Sequence, residues 1–133
     1  MNASEQILVI EDHQAIRILL SHYLSKDFVV KTVESGYKAL AWMNQGNYPE
    51  LIILDINMPQ LNGIEFLSNI RNSGFFHTIP VIVVSGEEEG NLIEKCIDLG
   101  INGYMKKPFS PSELQSKIFT VLKNDRKTLG TAK

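Results

Sequence analysis

The chain has 133 residues, 44% of them hydrophobic and 21% charged, and its 13 basic and 15 acidic side chains give a formal net charge of −2. This length suits one domain with a single hydrophobic core, and the composition excludes disordered, collagen-like and disulfide-rich proteins. The near-neutral charge excludes the basic footprint of a nucleic-acid-binding or membrane-surface protein, and a single cysteine excludes an intramolecular disulfide.

The sequence shows no export signal and no membrane span. The apolar run over 7–10 stops at Glu11, far short of a signal-peptide core, and no apolar stretch approaches the roughly 20 residues that a membrane span needs. We therefore expect a cytoplasmic protein that binds neither membranes nor, directly, nucleic acid.

Short apolar blocks alternate with helical patterns along the chain. The first block, 7–10, is too brief for a helix and predicts a strand, and the apolar residues over 16–24 recur with helical spacing. Further strands are predicted over 28–33, 51–54, 81–84 and 101–105, and further helical stripes over 37–41, 64–70, 92–97 and 114–122.

Five such β-α units predict an α/β protein: a single doubly wound (βα)5 flavodoxin-like domain with a five-stranded parallel sheet. Right-handed crossovers favour the strand order 2-1-3-4-5, with the switch point between strands 1 and 3. We expect this domain to cover 1–123 and to leave 124–133 as a short C-terminal tail or linker stub. Because the chain opens on Met1, we favour a stand-alone protein.

Polar residues directly follow four of the predicted strands, where a doubly wound sheet binds its ligands. They are Glu11, Asp12, Asp55, Ser85 and the pair Lys106-Lys107. Three carboxylates at one edge repel one another, and a divalent cation relieves that repulsion. Oxygen ligands that leave room for water and a phosphate suit Mg²⁺, or Mn²⁺ in its place, so the sequence predicts a phosphoryl site.

Four sequence motifs carry a family resemblance: Ile-Glu-Asp at 10–12, Leu-Asp-Ile-Asn-Met-Pro at 54–59, Val-Ser-Gly at 84–86 and Tyr-Met-Lys-Lys-Pro-Phe at 104–109. Together they resemble the receiver domain of bacterial two-component response regulators, over about 6–123 and in the manner of the small chemotaxis regulators. The resemblance implies a phosphoacceptor switch in which Asp55 takes a phosphoryl group from a sensor histidine kinase or a phosphotransfer protein.

The resemblance also implies the cation ligands. Asp12 and Asp55 would bind Mg²⁺ directly, Asn57 would contribute its backbone carbonyl, and Glu11 would act through a water molecule.

Other residues are implied to hold the phosphoryl group and to report it. Lys107 and Ser85 would contact the phosphoryl oxygens, with Lys107 preferred over Lys106 because it precedes Pro108 through a cis bond. Ser85 and Tyr104 would form the switch, which changes partner binding at the face built from helix 4, strand 5 and helix 5.

Asn57 and Glu87 are implied to tune the lifetime of the phosphoryl group, which we expect to be short. The protein would then be no enzyme beyond promoting its own phosphorylation and dephosphorylation. It would act as a monomer or a weak phosphorylation-linked dimer on an unknown downstream protein.

Other functions compete with this one. A Mg²⁺-dependent aspartyl-phosphate phosphohydrolase also uses an aspartate at a strand end, although such enzymes carry Asp-x-Asp and position 57 is Asn. The chain could also be a receiver fragment of a larger regulator or hybrid kinase, or a receiver that only binds partners. A nucleotide- or flavin-binding module is disfavoured, since no glycine-rich phosphate loop is present.

Residues outside the motifs are interpreted as structural. His13 adjoins the acidic pair and could touch a bound metal ion, but Mg²⁺ prefers oxygen ligands, so His13, His22 and His77 are predicted to be bystanders. Cys96 is predicted to be a core residue, and the Phe75-Phe76 pair is predicted to tuck under the sheet rather than to form a docking patch.

Overall fold

A computed structural model describes residues 5–57, 63–86 and 90–131, with the side chains of 90, 91 and 126–131 left out. Strands and helices alternate along these ranges. They are β1 (Gln6–Ile10), α1 (Gln14–Leu24), β2 (Val29–Val33), α2 (Gly36–Asn44), β3 (Leu51–Asp55), α3 (Gly63–Arg71), β4 (Val81–Ser85), α4 (Gly90–Leu99), β5 (Gly103–Lys106) and α5 (Pro111–Thr131).

The five strands form one parallel sheet in the order β2-β1-β3-β4-β5, which confirms the predicted fold class and topology. At the carboxyl end of β1, Ile10 pairs with Val33 on one side and with Leu54 on the other. The chain reverses its direction of winding between β1 and β3, so the residues after these two strands share one crevice.

Alternate residues of each central strand feed two cores. Leu8 and Ile52 belong to the core that also contains Phe66 of α3, whereas Ile7 and Ile53 belong to the core packed under α1 and α5. All of these side chains are fully or almost fully buried. Burial on both faces explains why these strands are continuously apolar in sequence.

Several element boundaries differ from the predictions. β5 starts at Gly103 and not at 101, because Gly100 ends α4 at a φ of +101° and Asn102 turns the chain. The backbone N–H of Asn102 donates to the carbonyl of Val81 at 2.8 Å, and its Oδ1 accepts from the N–H of Val81 at 2.9 Å. β2 starts at Val29, one residue later than predicted.

The apolar stripe predicted for α2, which consists of Tyr37, Leu40 and Ala41, is confirmed only at Leu40, which packs against the core. Tyr37 and Ala41 are exposed, and the helix buries Ala39 and Met43. Small and flexible side chains fill this interface, which a search for large apolar residues misses.

Two helices start at residues whose side chains cap them. Ser35 caps α2 by accepting from the N–H of Lys38. α5 starts at Pro111 behind a capping box in which Ser110 accepts from the N–H of Glu113 and Glu113 accepts from the N–H of Ser110. The helix then runs past Lys123, so the boundary proposed there does not coincide with the end of an element.

Two structural expectations had opposite outcomes. Cys96 is fully buried as predicted, and burial raises the pKa of its thiol to about 11. Phe75 was wrongly predicted to tuck under the sheet, since 81% of it is exposed. The ring of Phe76 packs against those of Phe75 and Tyr48 in tilted arrangements. The three rings lie at the end of the sheet away from the acidic residues.

Candidate functional site

The loop after β1 is fixed by backbone and side-chain hydrogen bonds. The N–H of Glu11 donates to the carbonyl of Val33 at 3.0 Å, which extends the pairing of β1 with β2. Arg17 of α1 reaches back and donates from Nη1 to the carbonyl of Glu11 at 2.7 Å. These bonds hold the acidic pair at 11 and 12 at the carboxyl end of the sheet.

Asp55 and Ser85 end the neighbouring strands β3 and β4 and are almost completely buried, with 1% and 0% of their surface exposed. Asn57 connects them. Its backbone N–H donates to Oδ1 of Asp55 at 2.9 Å, and its Nδ2 donates to Oγ of Ser85 at 3.3 Å. The predicted phosphoacceptor and the predicted switch hydroxyl therefore share one polar neighbour.

Gly63 supports this loop from the start of α3. A Cβ on Gly63 would lie 2.4 Å from the Cα of Ile56, a distance that no side chain tolerates. Since Ile56 directly follows Asp55, the missing side chain lets α3 approach the backbone that carries the acceptor.

Lys107 bridges two buried carboxylates. Its Nζ lies 2.9 Å from Oε1 of Glu11 and 3.2 Å from Oδ2 of Asp55. Its backbone N–H donates to the carbonyl of Ser85 at 2.8 Å, and the bond to Pro108 is cis, as predicted. Lys106 is exposed, so the choice of Lys107 over its neighbour agrees with the geometry.

Charge and burial oppose each other at this edge. Burial raises the pKa of Glu11 above its ordinary value, the hydrogen bond from Lys107 lowers it, and the charge of Asp55 raises it further. Burial alone lowers the pKa of Lys107, but the hydrogen bond to Glu11 and the charge of Asp55 raise it, and the net shift is upward. Lys107 therefore stays an ammonium, and the site holds excess negative charge that a bound cation can neutralise.

His13, predicted to be a bystander although it adjoins the acidic pair in sequence, is in contact with both carboxylates. Its Nδ1 lies 3.0 Å from Oε2 of Glu11 and 3.2 Å from Oδ1 of Asp12. The hydrogen bond with Glu11 and the charges of both carboxylates raise the pKa of His13. A histidine directly after an acidic pair at a strand end is the sequence signal that points to this contact.

The donor set fits a divalent cation. Glu11, Asp12, His13 and Asp55 each offer one ligand atom, and these atoms all lie within 4.8 Å of one another. Oδ1 of Asp12 is buried and accepts no hydrogen bond from the described part of the chain, with His13 at ion-pair distance as its charged neighbour. A buried carboxylate oxygen without a donor is what a cation would satisfy.

The remaining predicted residues lie apart from this cluster or outside the description. Tyr104 is partly buried on β5, opposite Val83, and packs on the core beneath α3 and α4. Glu87 lies outside the described residues. Arg17, which sequence reasoning missed, carries no motif, and only its position one turn into α1 puts its guanidinium near the β1 end.

The comparisons with known proteins agree with this geometry. The family model of the response regulator receiver domain matches residues 7–119. The chain belongs to this receiver-domain family. It is 37% identical over 114 residues to the transcriptional regulatory protein KdpE of Staphylococcus aureus, covering 85% of this chain and 48% of that protein. It is 28% identical to the chemotaxis protein CheY1 of Helicobacter pylori, covering 88% of this chain and 96% of the relative.

A solved CheY-like receiver domain from Methanospirillum hungatei superimposes with a TM-score of 0.88 and covers 95% of this chain and 99% of its own. Its 23% identity makes it a match of fold alone. The chain spans about half the length of KdpE and 7% of the hybrid signal transduction histidine kinase D of Dictyostelium discoideum. Receiver domains of this family are signalling switches that accept a phosphoryl group. Among the helices in the described ranges, none has the length and apolar character to cross a membrane.

Proposed function

We propose that this receiver domain accepts a phosphoryl group on Asp55 with the help of a Mg²⁺ or Mn²⁺ ion and passes the signal on by changing which protein it binds. The bridge from Lys107 to Asp55 and Glu11 is the observation that carries the proposal. It places a fixed positive charge against a buried carboxylate at the topological switch point of the sheet.

The transfer step needs positioning and charge neutralisation more than covalent help. One oxygen of Asp55 forms a bond to phosphorus, while the bond from phosphorus to the donor's imidazole nitrogen breaks and its electron pair stays on that nitrogen. Lys107 neutralises a phosphoryl oxygen, and Ser85 donates its hydroxyl to another. A divalent cation, when bound, supplies further positive charge to the same oxygens.

The cation would be held by Asp12 and Asp55 directly, by the backbone carbonyl of Asn57, and by Glu11 through water. Oδ1 of Asp12 is buried and accepts no hydrogen bond from the described part of the chain, and Glu11, Asp12 and Asp55 form one cluster, which supports this set. Mg²⁺ matches oxygen ligands that leave positions open for water and phosphate.

The report of phosphorylation would pass through Ser85. Its hydroxyl moves towards the phosphoryl group, Tyr104 turns inward, and the face of α4, β5 and α5 changes shape. Tyr104 lies on β5, the neighbour of the strand that Ser85 ends, and its partial burial leaves part of the ring to be covered by an inward turn. Such a change is a shift between two populated states. Asn57 and Glu87 would admit or orient the water that hydrolyses the acyl phosphate.

The donor would be a sensor histidine kinase or a phosphotransfer protein that approaches beside α1. Leu19 exposes 52% of its surface there. It lines a cavity of about 460 Å³ together with Ile16, Leu20 and Lys107, among others. An apolar surface that reaches the acceptor site suits a protein donor.

The length of the relatives is compatible with a second domain organisation, in which this receiver domain is part of a longer protein. Because KdpE is about twice as long as this chain, the domain could serve as the receiver of a larger regulator or of a hybrid kinase. Aspartyl-phosphate phosphohydrolases carry Asp-x-Asp, and the second of these positions is Asn57 in this chain. We therefore propose a switch and not a phosphohydrolase.

The proposal is tested by incubating the full chain with a small phosphodonor such as phosphoramidate, with Mg²⁺, Mn²⁺ or a chelator. We expect one phosphoryl addition by intact mass that requires a divalent cation, resists acid, is lost in base and is absent in Asp55→Asn. An addition that persists in Asp55→Asn or in chelator would refute it.

A further inference from the structure

We infer that His13 is part of the cation site and makes it favour first-row transition-metal ions, from Mn²⁺ onward, over Mg²⁺. The inference rests on the proposed function, because it concerns the cation that would assist phosphorylation of Asp55. His13 acts here as a specificity-determining residue, which the phosphoryl chemistry itself does not require.

The first support is the position of the ring. Nδ1 of His13 lies 3.0 Å from Oε2 of Glu11 and 3.2 Å from Oδ1 of Asp12. An octahedral ion with ligand distances of about 2.1 Å places adjacent ligand atoms about 3.0 Å apart and opposite ones about 4.2 Å apart. The observed separations match adjacent ligands, and the 4.8 Å span of the four-residue set requires only a small contraction.

The second support is that the loop holding the ring is already ordered. The backbone carbonyl of His13 accepts from the N–H of Arg17 at 3.0 Å, and its own N–H donates to Oε2 of Glu11 at 3.2 Å. His13 is the N-cap residue of α1, yet its side chain makes no capping bond. The imidazole is therefore directed at the carboxylates while its backbone starts the helix.

The third support is the chemistry of the donor. Imidazole nitrogen is a good ligand for transition-metal ions, whereas Mg²⁺ is best served by oxygen and keeps much of its water. A nitrogen in the ligand set therefore adds more affinity for the transition-metal ions. Coordination uses the lone pair of Nδ1, so the cation takes the place of the ion pair between His13 and the two carboxylates.

The contrasting role for His13 is that of a competitor. If the ring only neutralises Glu11 and Asp12, any cation must displace it, and removing the ring strengthens binding of all divalent cations to a similar extent. The two roles predict changes of opposite sign for Mn²⁺, which makes them separable by one variant.

The experiment uses the full chain with Mn²⁺ as the probe. Mn²⁺ affinity is measured by electron paramagnetic resonance and Mg²⁺ affinity by competition, in the unmodified chain, in His13→Phe and in His22→Phe. His22 lies on the same helix and is exposed, so its variant controls for loss of an imidazole outside the site. Electron spin echo modulation of the bound Mn²⁺ then reports directly coordinated ¹⁴N.

We expect ¹⁴N modulation in the unmodified chain and in His22→Phe but none in His13→Phe. Mn²⁺ affinity should fall at least about tenfold in His13→Phe, because even loss of a residue that only supports a ligand costs about 10–100-fold, while Mg²⁺ affinity changes little. Absence of ¹⁴N modulation, or stronger binding of both ions in His13→Phe, would overturn the inference.

A further variant, Asp12→Asn, separates this failure from failure of the proposed function. If Mn²⁺ binding depends on Asp12 but shows no nitrogen coupling, only the role of His13 is refuted. If Mn²⁺ does not bind, or binds equally well to Asp12→Asn, the cation site itself is refuted, and with it both the inference and that part of the proposed function.

Discussion

Nζ of Lys107 lies 3.2 Å from Oδ2 of Asp55 at the carboxyl end of the sheet, while Oδ1 of the same carboxylate accepts from the backbone N–H of Asn57. Each acceptor oxygen thus has its own donor. These two bonds hold the carboxylate at the end of β3, so the bridge from Lys107 would set the orientation of the oxygen that we propose attacks phosphorus.

Replacing Lys107 tests this arrangement. Lys107→Ala should lower the rate of Asp55 phosphorylation by a small-molecule donor about 100-fold or more, the usual effect of removing a fixed donor to a developing anionic charge. The rate is followed by intact mass at fixed Mg²⁺ concentration. Lys106→Ala, in the adjacent exposed residue, is the matched control and should stay within a few-fold of the unmodified chain. Equal losses in both variants would show that general surface charge is responsible.

The pKa of Glu11 predicts how stability depends on pH. An acid whose folded-state pKa is raised binds its proton more tightly when folded, so its contribution to the free energy of unfolding is full below the ordinary value of 4.5 and is lost as pH rises through the folded-state pKa. In chelator, urea unfolding of Glu11→Gln should therefore show a flatter decline of stability above pH 4.5 than the unmodified chain. A decline of the same steepness in Glu11→Gln would exclude Glu11 as its source.

Close packing at Gly63 predicts an effect on stability and on the site together. Gly63→Ala should lower the free energy of unfolding by about 1–3 kcal/mol, because the added carbon must displace the backbone of Ile56. It should also slow phosphorylation, since Asp55 precedes Ile56. Gly74→Ala is the control, because a Cβ there meets no atom within 4 Å. Unchanged stability in Gly63→Ala would mean that α3 shifts freely away from β3.

The position of Asn57 predicts that this residue shortens the lifetime of the phosphoryl group on Asp55. Its side-chain amide donates to Ser85 and its backbone N–H donates to Asp55, so we propose that the amide orients the attacking water. Asn57→Ala should lengthen the lifetime of phospho-Asp55 about fivefold, which corresponds to ~1 kcal/mol, the net worth of one hydrogen bond. The decay is measured after removal of the donor, with Asn72→Ala, an exposed asparagine after α3, as control. An unchanged lifetime would remove Asn57 from the hydrolysis step.

The sequence predicted the sheet well because burial on both faces leaves a strong signal. The blocks at β1, β3 and β4 are uninterrupted runs of large apolar residues, and no alternative element of that length suits them. The start of β5 was harder to predict. It depends on a hydrogen bond from the backbone N–H of Val81 to the side-chain oxygen of Asn102, which no local pattern encodes. The buried face of α2 was mispredicted for a related reason. This face presents Ala39 and Met43 to the core, and the local pattern of apolar residues does not single them out.

The candidate site was predictable as a set of residues but not as a set of contacts. Topology alone brings Glu11, Asp55 and Lys107 to one edge, and the structure places them within hydrogen-bonding distance. The contacts of His13 and Arg17 depend on how the chain turns into α1, which is a property of one loop and leaves no repeating signal. These contacts join residues within six positions of one another, but they appear only when the loop geometry is known.

The central claim is tested most directly by locating the phosphoryl group. The full chain is incubated with phosphoramidate and Mg²⁺, reduced with borohydride, which converts an aspartyl phosphate into a stable alcohol, and digested for peptide mass mapping. The account predicts that the reduced residue is at position 55 and that chelator abolishes it. Modification at Asp12 or Glu11 instead, or at a histidine, would contradict it.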